Sequence, residues 1–138
     1  MAEALILDSE AVDALANAPE RGSLSVRARA IARVAHERGV LVRIPAPVLA
    51  EVCRGPRYDT AVNQLLKRDA IRVVELNREA AQRAGALLEK ARMPSRHAVD
   101  AFVVSTALEF DSAVIATGHI EDLRRLSAPY RQITLMHL

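Results

Sequence analysis

The chain is predicted to be an α/β protein with a mostly parallel central sheet of about five strands, covered by helices on both faces. Three observations carry that expectation. Short runs rich in Val, Ile and Leu alternate with longer segments of helical periodicity, as βαβ units do. Gly and Pro fall where the elements must stop. Of the 138 residues, 51% are hydrophobic, enough to bury a sizeable core in a single domain spanning 1–138.

The elements follow in order. Residues 4–7 form a short buried strand that ends at Asp8. A helix runs through Val12 and Leu15 and stops near Pro19, and a second covers about 24–38, closed by Gly39. Residues 40–44 make the second strand, closed by Pro45. Pro47 then opens the short helix VLAEVCRG, which Gly55 and Pro56 end. A helix over 58–68, a strand over 71–76 and a helix over 78–91 come next. Ser95 is the expected cap of the following helix, HAVDAFVVSTAL, since a serine side chain can accept from exposed amides of the first turn. A strand at 113–116, a helix at 121–126 and a strand at 132–136 complete the chain.

Composition narrows the function classes. Aromatic residues are only 3%, so the core must be built from Ala, Val, Leu and Ile. The net charge of +2 permits a polyanionic partner without demanding one. Seventeen of the 19 basic residues are Arg, whose fork matches phosphate oxygens, although GC-rich codon usage gives the same bias. Cys53 is the single cysteine, which excludes an internal disulfide and a Cys-rich zinc site; it is expected to be a small buried side chain. The opening MAEALILDSEAV carries Glu3 and Asp8 around a short apolar run. It is neither a signal peptide nor a membrane span, and the expected location is cytoplasmic.

Three acids stand where such a sheet gathers ligands, beyond the carboxyl ends of the strands. Asp8 follows the first strand, where an N-cap role explains it equally well. Glu51 lies in the short helix after the second strand, beside Val48 and Val52, and alone reads as a solvated flank. Asp100 is harder to dismiss. At about 100° per residue it projects from an apolar stripe of Val103, Val104, Ala107 and Leu108. A buried carboxylate without a partner costs several kcal/mol or takes up a proton. Three acids from three βα units suggest one cluster, and clustered carboxylates need a compensating cation or proton. Hard oxygen donors with few His and no Cys suit Mg2+ or Mn2+ better than zinc.

The set LILDSEAV, PAPVLAEVCRG, HAVDAFVVSTAL and AVIATGHIEDLRRL resembles the PIN domain, specifically the VapC-type toxins of bacterial toxin–antitoxin pairs. VVELNREAAQRAGALL resembles the strand and helix that precede the third acid in such toxins. The similarity runs from Leu5 to about Leu135. Each motif is only a few residues around one acid, and the specificity lies in their order and spacing. The resemblance implies an α/β/α sandwich and a Mg2+- or Mn2+-dependent endoribonuclease that hydrolyses RNA phosphodiester bonds. The first Asp of the family maps to Asp8, its Glu to Glu51 and its third acid to Asp100. A fourth acid is common two residues after a strand-ending Thr, but here the segment is Thr117-Gly118-His119. His119 is then either a loop residue at a drifted position or a ligand suited to Mn2+ and poorly to Mg2+. Asp122, next to Glu121, matches a second acid often found there.

In that scheme Asp8, Asp100 and Glu51 hold the metal and Asp122 completes the catalytic set. Ser9 and Thr117 are candidate orienting hydroxyls, and ordinary capping explains them equally well. Arg21, Arg54, Arg57, Arg124 and Arg125 flank the acid-bearing segments and are candidates for RNA backbone contacts. With few aromatics to stack bases, recognition would rest on charge and shape. His97 stands one turn before Asp100 and could face the pocket, though an exposed first-turn histidine is the plainer reading. The resemblance further implies a small antitoxin partner and a homodimer. The helices around 24–34 and 61–66 offer apolar faces for the antitoxin, and core packing explains them too. A PIN-like module that binds RNA or antitoxin with weakened catalysis is the alternative. A dinucleotide enzyme is disfavoured because no G-x-G-x-x-G follows the first strand. A haloacid-dehalogenase-type phosphatase is disfavoured because Glu10 stands where its second Asp belongs.

Overall fold

The computed structural model describes residues 3–138; Met1 and Ala2, which begin the MAEALILDSEAV segment, lie outside the described residues. Five strands form one sheet: β1 (Glu3–Leu7), β2 (Leu41–Pro45), β3 (Ile71–Val74), β4 (Ser112–Thr117) and β5 (Ile133–His137). Their order is β3-β2-β1-β4-β5, and every neighbouring pair is parallel. The helices are α1 (Ser9–Ala16), α2 (Ala18–Arg21), α3 (Ser23–Glu37), α4 (Leu49–Val52), α5 (Pro56–Leu66), α6 (Arg78–Ala91), α7 (Ala98–Ala107) and α8 (Ile120–Ser127).

The chain lays β1, β2 and β3 outward in one direction, then returns to place β4 and β5 on the other side of β1. Right-handed crossovers therefore send the helices of the two halves to opposite faces. Helices α1, α3 and α5 pack together in one layer, and α6, α7 and α8 in the other. β1 is covered on both sides, which is why Ala4, Leu5, Ile6 and Leu7 are all buried and the strand reads as a continuous apolar run. Ile44, Ile115, Leu123 and Leu126 fill the core around it. The reversal of strand order puts the topological switch between β1 and β4, so Asp8 and the Thr117-Gly118-His119 loop flank one crevice.

Four local expectations are corrected. Pro19 does not stop a helix; α1 ends at Ala16, and Pro19 sits in the first turn of α2, where its missing N–H costs nothing. Pro56 opens α5 for the same reason, and α4 has already ended at Val52. Ser95 makes no capping bond, because Ser95–His97 is a tight turn whose own backbone bond, His97 N–H to Pro94 carbonyl at 3.1 Å, leads into α7. Cys53 is exposed rather than buried: it follows the last residue of α4, where Val52 takes the buried place beside it.

Candidate metal centre

Asp8 is the most buried of the acids, at 1% exposure. It caps α1 by accepting from the Ala11 N–H at 3.0 Å, and its other oxygen accepts from the Gly118 N–H at 3.2 Å. Its own N–H extends the sheet ladder to the Ala116 carbonyl at 3.2 Å. The buried Thr117 hydroxyl hydrogen-bonds the Asp8 carboxylate and accepts from the His119 N–H at 2.7 Å. Burial pushes the Asp8 pKa up; the Thr117, Ala11 and Gly118 bonds and the charge of His119 oppose that rise. The N-cap expected of Asp8 is thus present, and so is a carboxylate facing the switch crevice.

Asp100 occupies the first turn of α7 and is half-buried. Its carboxyl is pushed up to about 6, first by desolvation and then by the charges of Asp122, Asp8 and Glu51, with His119 opposing. Asp8, Glu51 and Asp122 therefore all act on one carboxylate, although they come from the ends of three other segments. Glu51 is the most exposed of the mapped metal ligands. The four acids Asp8, Glu51, Asp100 and Asp122 gather an excess of negative charge that a divalent cation would relieve, and their hard oxygen donors fit Mg2+ or Mn2+.

Two histidines border this group. His119 follows the Thr117 bond, and its charge acts on both Asp8 and Asp100. His97 stands with Nδ1 3.6 Å from an Asp122 carboxylate oxygen. One donor atom each from His97, Asp100 and Asp122 lie within 4.8 Å of one another. The plainer reading of His97 as an exposed first-turn residue is corrected, since its side chain is only 17% exposed.

Beside the acids opens a groove of about 390 Å3, lined by Ser9, Glu10, Asp13, Glu51, Arg54 and Tyr58. Glu10, Asp13 and Tyr58 carry no local sequence signal of a site. Glu10 and Asp13 follow Asp8 by two and five positions, but only the path of α1 brings them to the groove. Arg21 from α2 pairs with Glu10 and with Asp13, the latter at 3.2 Å.

The model of the PIN domain family matches residues 6–127. The chain belongs to the PIN domain family. Over 96% of its length and 97% of the other, this PIN domain is similar to a chain in the crystal structure of VapBC2 from Rickettsia felis bound to a DNA fragment from their promoter. The TM-score is 0.60 at 12% sequence identity, a likeness of fold. No curated protein matches the chain.

The arginines expected to rim the acidic site of this PIN domain are unequally free. Arg21 is held by Glu10 and Asp13. Arg57 pairs with Glu20 and lies over the Tyr58 ring, 5.5 Å from its centre. Arg124 pairs with Glu121 at 2.6 Å, and Arg125 donates to the Ala91 carbonyl at 3.1 Å. Arg54 lines the groove, is exposed, and has no ion pair among the described residues. No helix among them is long and apolar enough to cross a membrane.

Proposed function

We propose that this PIN domain is a VapC-type toxin, a divalent-metal-dependent endoribonuclease forming one domain over 1–138 and neutralised by a small antitoxin. The observation that carries the reading is the meeting of Asp100 and Asp122, with His97, whose donor atoms lie within 4.8 Å of one another; Asp8, held by the Gly118 amide, and Glu51 add their charges there. Asp8, Asp100 and Glu51 would hold Mg2+ or Mn2+, with Asp122 completing the set. A bound ion of this kind supplies Lewis acidity and lowers the pKa of a water. The chain supplies orientation. Asp8 is fixed by the Ala11 and Gly118 amides and by Thr117, so its carboxylate has little freedom to turn. Ser9 borders the groove beside Glu51, where its hydroxyl can orient water. Arg54 is the cation best placed to take an RNA phosphate. The fold likeness to VapBC2 supports the antitoxin partner; a homodimer and a cytoplasmic site of action complete the reading.

The test is cleavage of structured RNA by the full chain with Mg2+ or Mn2+, repeated with chelator and with Asp8→Asn and Asp100→Asn. Loss of cleavage in all three supports the reading, and variants that cut as fast as the parent would refute it. His119 at the usual place of the fourth acid favours a second reading, a PIN module that binds RNA or antitoxin with weakened catalysis. RNA binding with the acids intact and cleavage absent under both metals would select it.

A further inference from the structure

We infer that His97 is a nitrogen ligand that gives this acidic site a preference for Mn2+ over Mg2+. The inference rests on the reading of the acids as a divalent-cation site and adds a donor to it. His97 lies in the turn before α7, Asp100 in the first turn of α7, and Asp122 in the first turn of α8, which packs against α7. The spacing of three between His97 and Asp100 puts both on one side of the α7 entry.

Two features set this trio apart from an ordinary surface ion pair. The His97 Nδ1 to Asp122 separation of 3.6 Å is too long for a hydrogen bond. The His97 ring is largely covered, yet neither of its nitrogens has a hydrogen bond among the described residues. The three donor atoms lie within 4.8 Å of one another, and the donors around one small dication stand about 3–4 Å apart. Small side-chain rotations therefore suffice to share an ion. The donor set decides the preference: Mg2+ favours oxygen ligands and parts reluctantly with its waters, whereas imidazole suits the transition metals.

The experiment is binding of Mn2+ and of Mg2+ to the full chain by calorimetry at neutral pH, with pulsed electron paramagnetic resonance of the Mn2+ complex. The parent should show nitrogen hyperfine coupling. His97→Gln should lose that coupling and bind Mn2+ roughly tenfold more weakly, with Mg2+ affinity changed much less. His119→Gln should keep the coupling. Coupling that persists in His97→Gln, or disappears in His119→Gln alone, would overturn the assignment. So would a loss of Mn2+ and Mg2+ affinity by the same factor. Melting curves of His97→Gln and of His97→Asn separate a lost ligand from a misfolded chain, and a folded variant of either kind must show the selective Mn2+ loss. A parent that binds neither metal refutes the cation site itself, and His97 with it. A parent that binds both metals, with Asp100→Asn binding neither, upholds the cation site, and the His97 variants then decide whether the imidazole is among its ligands.

Discussion

Glu10 lies directly on Gly118: a β-carbon added at Gly118 would stand 2.5 Å from the Glu10 Cγ and 2.9 Å from its Cβ. These atoms are close to the α1 backbone and cannot swing aside as a carboxylate tip would. Gly118 also donates its N–H to Asp8, so the same close approach sets the position of the acid. Gly118→Ala should therefore cost about 1–3 kcal/mol in a denaturant melt and weaken divalent-cation binding. Gly85 is the control. It lies exposed within α6 with nothing near its added carbon, and Gly85→Ala should stabilise by about 0.5–1 kcal/mol.

Stability of the metal-free protein should fall as pH rises from about 4 to about 6. The Asp100 carboxyl holds its proton up to about 6 in the folded chain, against 3.8 for the ordinary group. Between those values the folded state binds more protons than the unfolded one, so raising the pH favours unfolding. The contribution is complete below the lower value and lost above the upper one. Asp8 is raised as well and adds to the decline. Melting temperatures in chelator across this range check it. Asp100→Asn should flatten the curve and melt a few degrees above the parent at neutral pH. A lower melting temperature for that variant would point instead to a structural hydrogen bond at Asp100.

At the proposed metal site, protons and divalent cations would compete for the same carboxylates. Added Mn2+ or Mg2+ should raise the melting temperature above pH 6 and lose most of that effect below it, because Asp100 is then protonated. A thermal shift independent of pH over this window would exclude Asp100 as a ligand.

RNA affinity should depend on Arg54 far more than on Arg124. Arg54 is exposed in the groove without an ion pair among the described residues, whereas Arg124 is bound to Glu121. Arg54→Ala should weaken binding for all sequences and lower the salt dependence by about one phosphate contact. Equal effects of the two variants in a salt titration would remove Arg54 from its place.

Restoring an acid with His119→Asp should move metal preference toward Mg2+, since it adds a hard carboxylate donor beside Asp8 and Asp100. The ratio of cleavage rates in Mg2+ and Mn2+ reads the outcome. An unchanged ratio would leave Asp122 as the working fourth acid.

Local signals carried most of the fold. The segment 78–91 has helical periodicity and is α6 with those same bounds, because Asn77 caps it and its amphipathic face is continuous. The strands ended where Pro or an acid follows an apolar run, as at Asp8 and Pro45. The errors fell at proline and serine boundaries, where one residue type serves either to end an element or to begin the next. Among the proposed site residues, Asp8 and Asp100 stood out in the sequence because a charge interrupts an apolar pattern. Glu10 and Tyr58 break no pattern, so nothing local distinguished them from surface residues; the only signal at His97 was its spacing of one turn from Asp100.

The order of strands and helices and the acids that follow them were written in the linear chain, since periodicity and residue chemistry act over a few neighbouring positions. Which of those groups meet was decided by the crossover from β3 back past β1 to β4. That path brings the Thr117-Gly118-His119 loop against Asp8 and sets α8 beside α7, so that His97 reaches Asp122. It also leaves Arg21 bound to Glu10 while Arg54 stays open. Such pairings depend on distances between segments far apart in sequence, and only the packed layers set those distances.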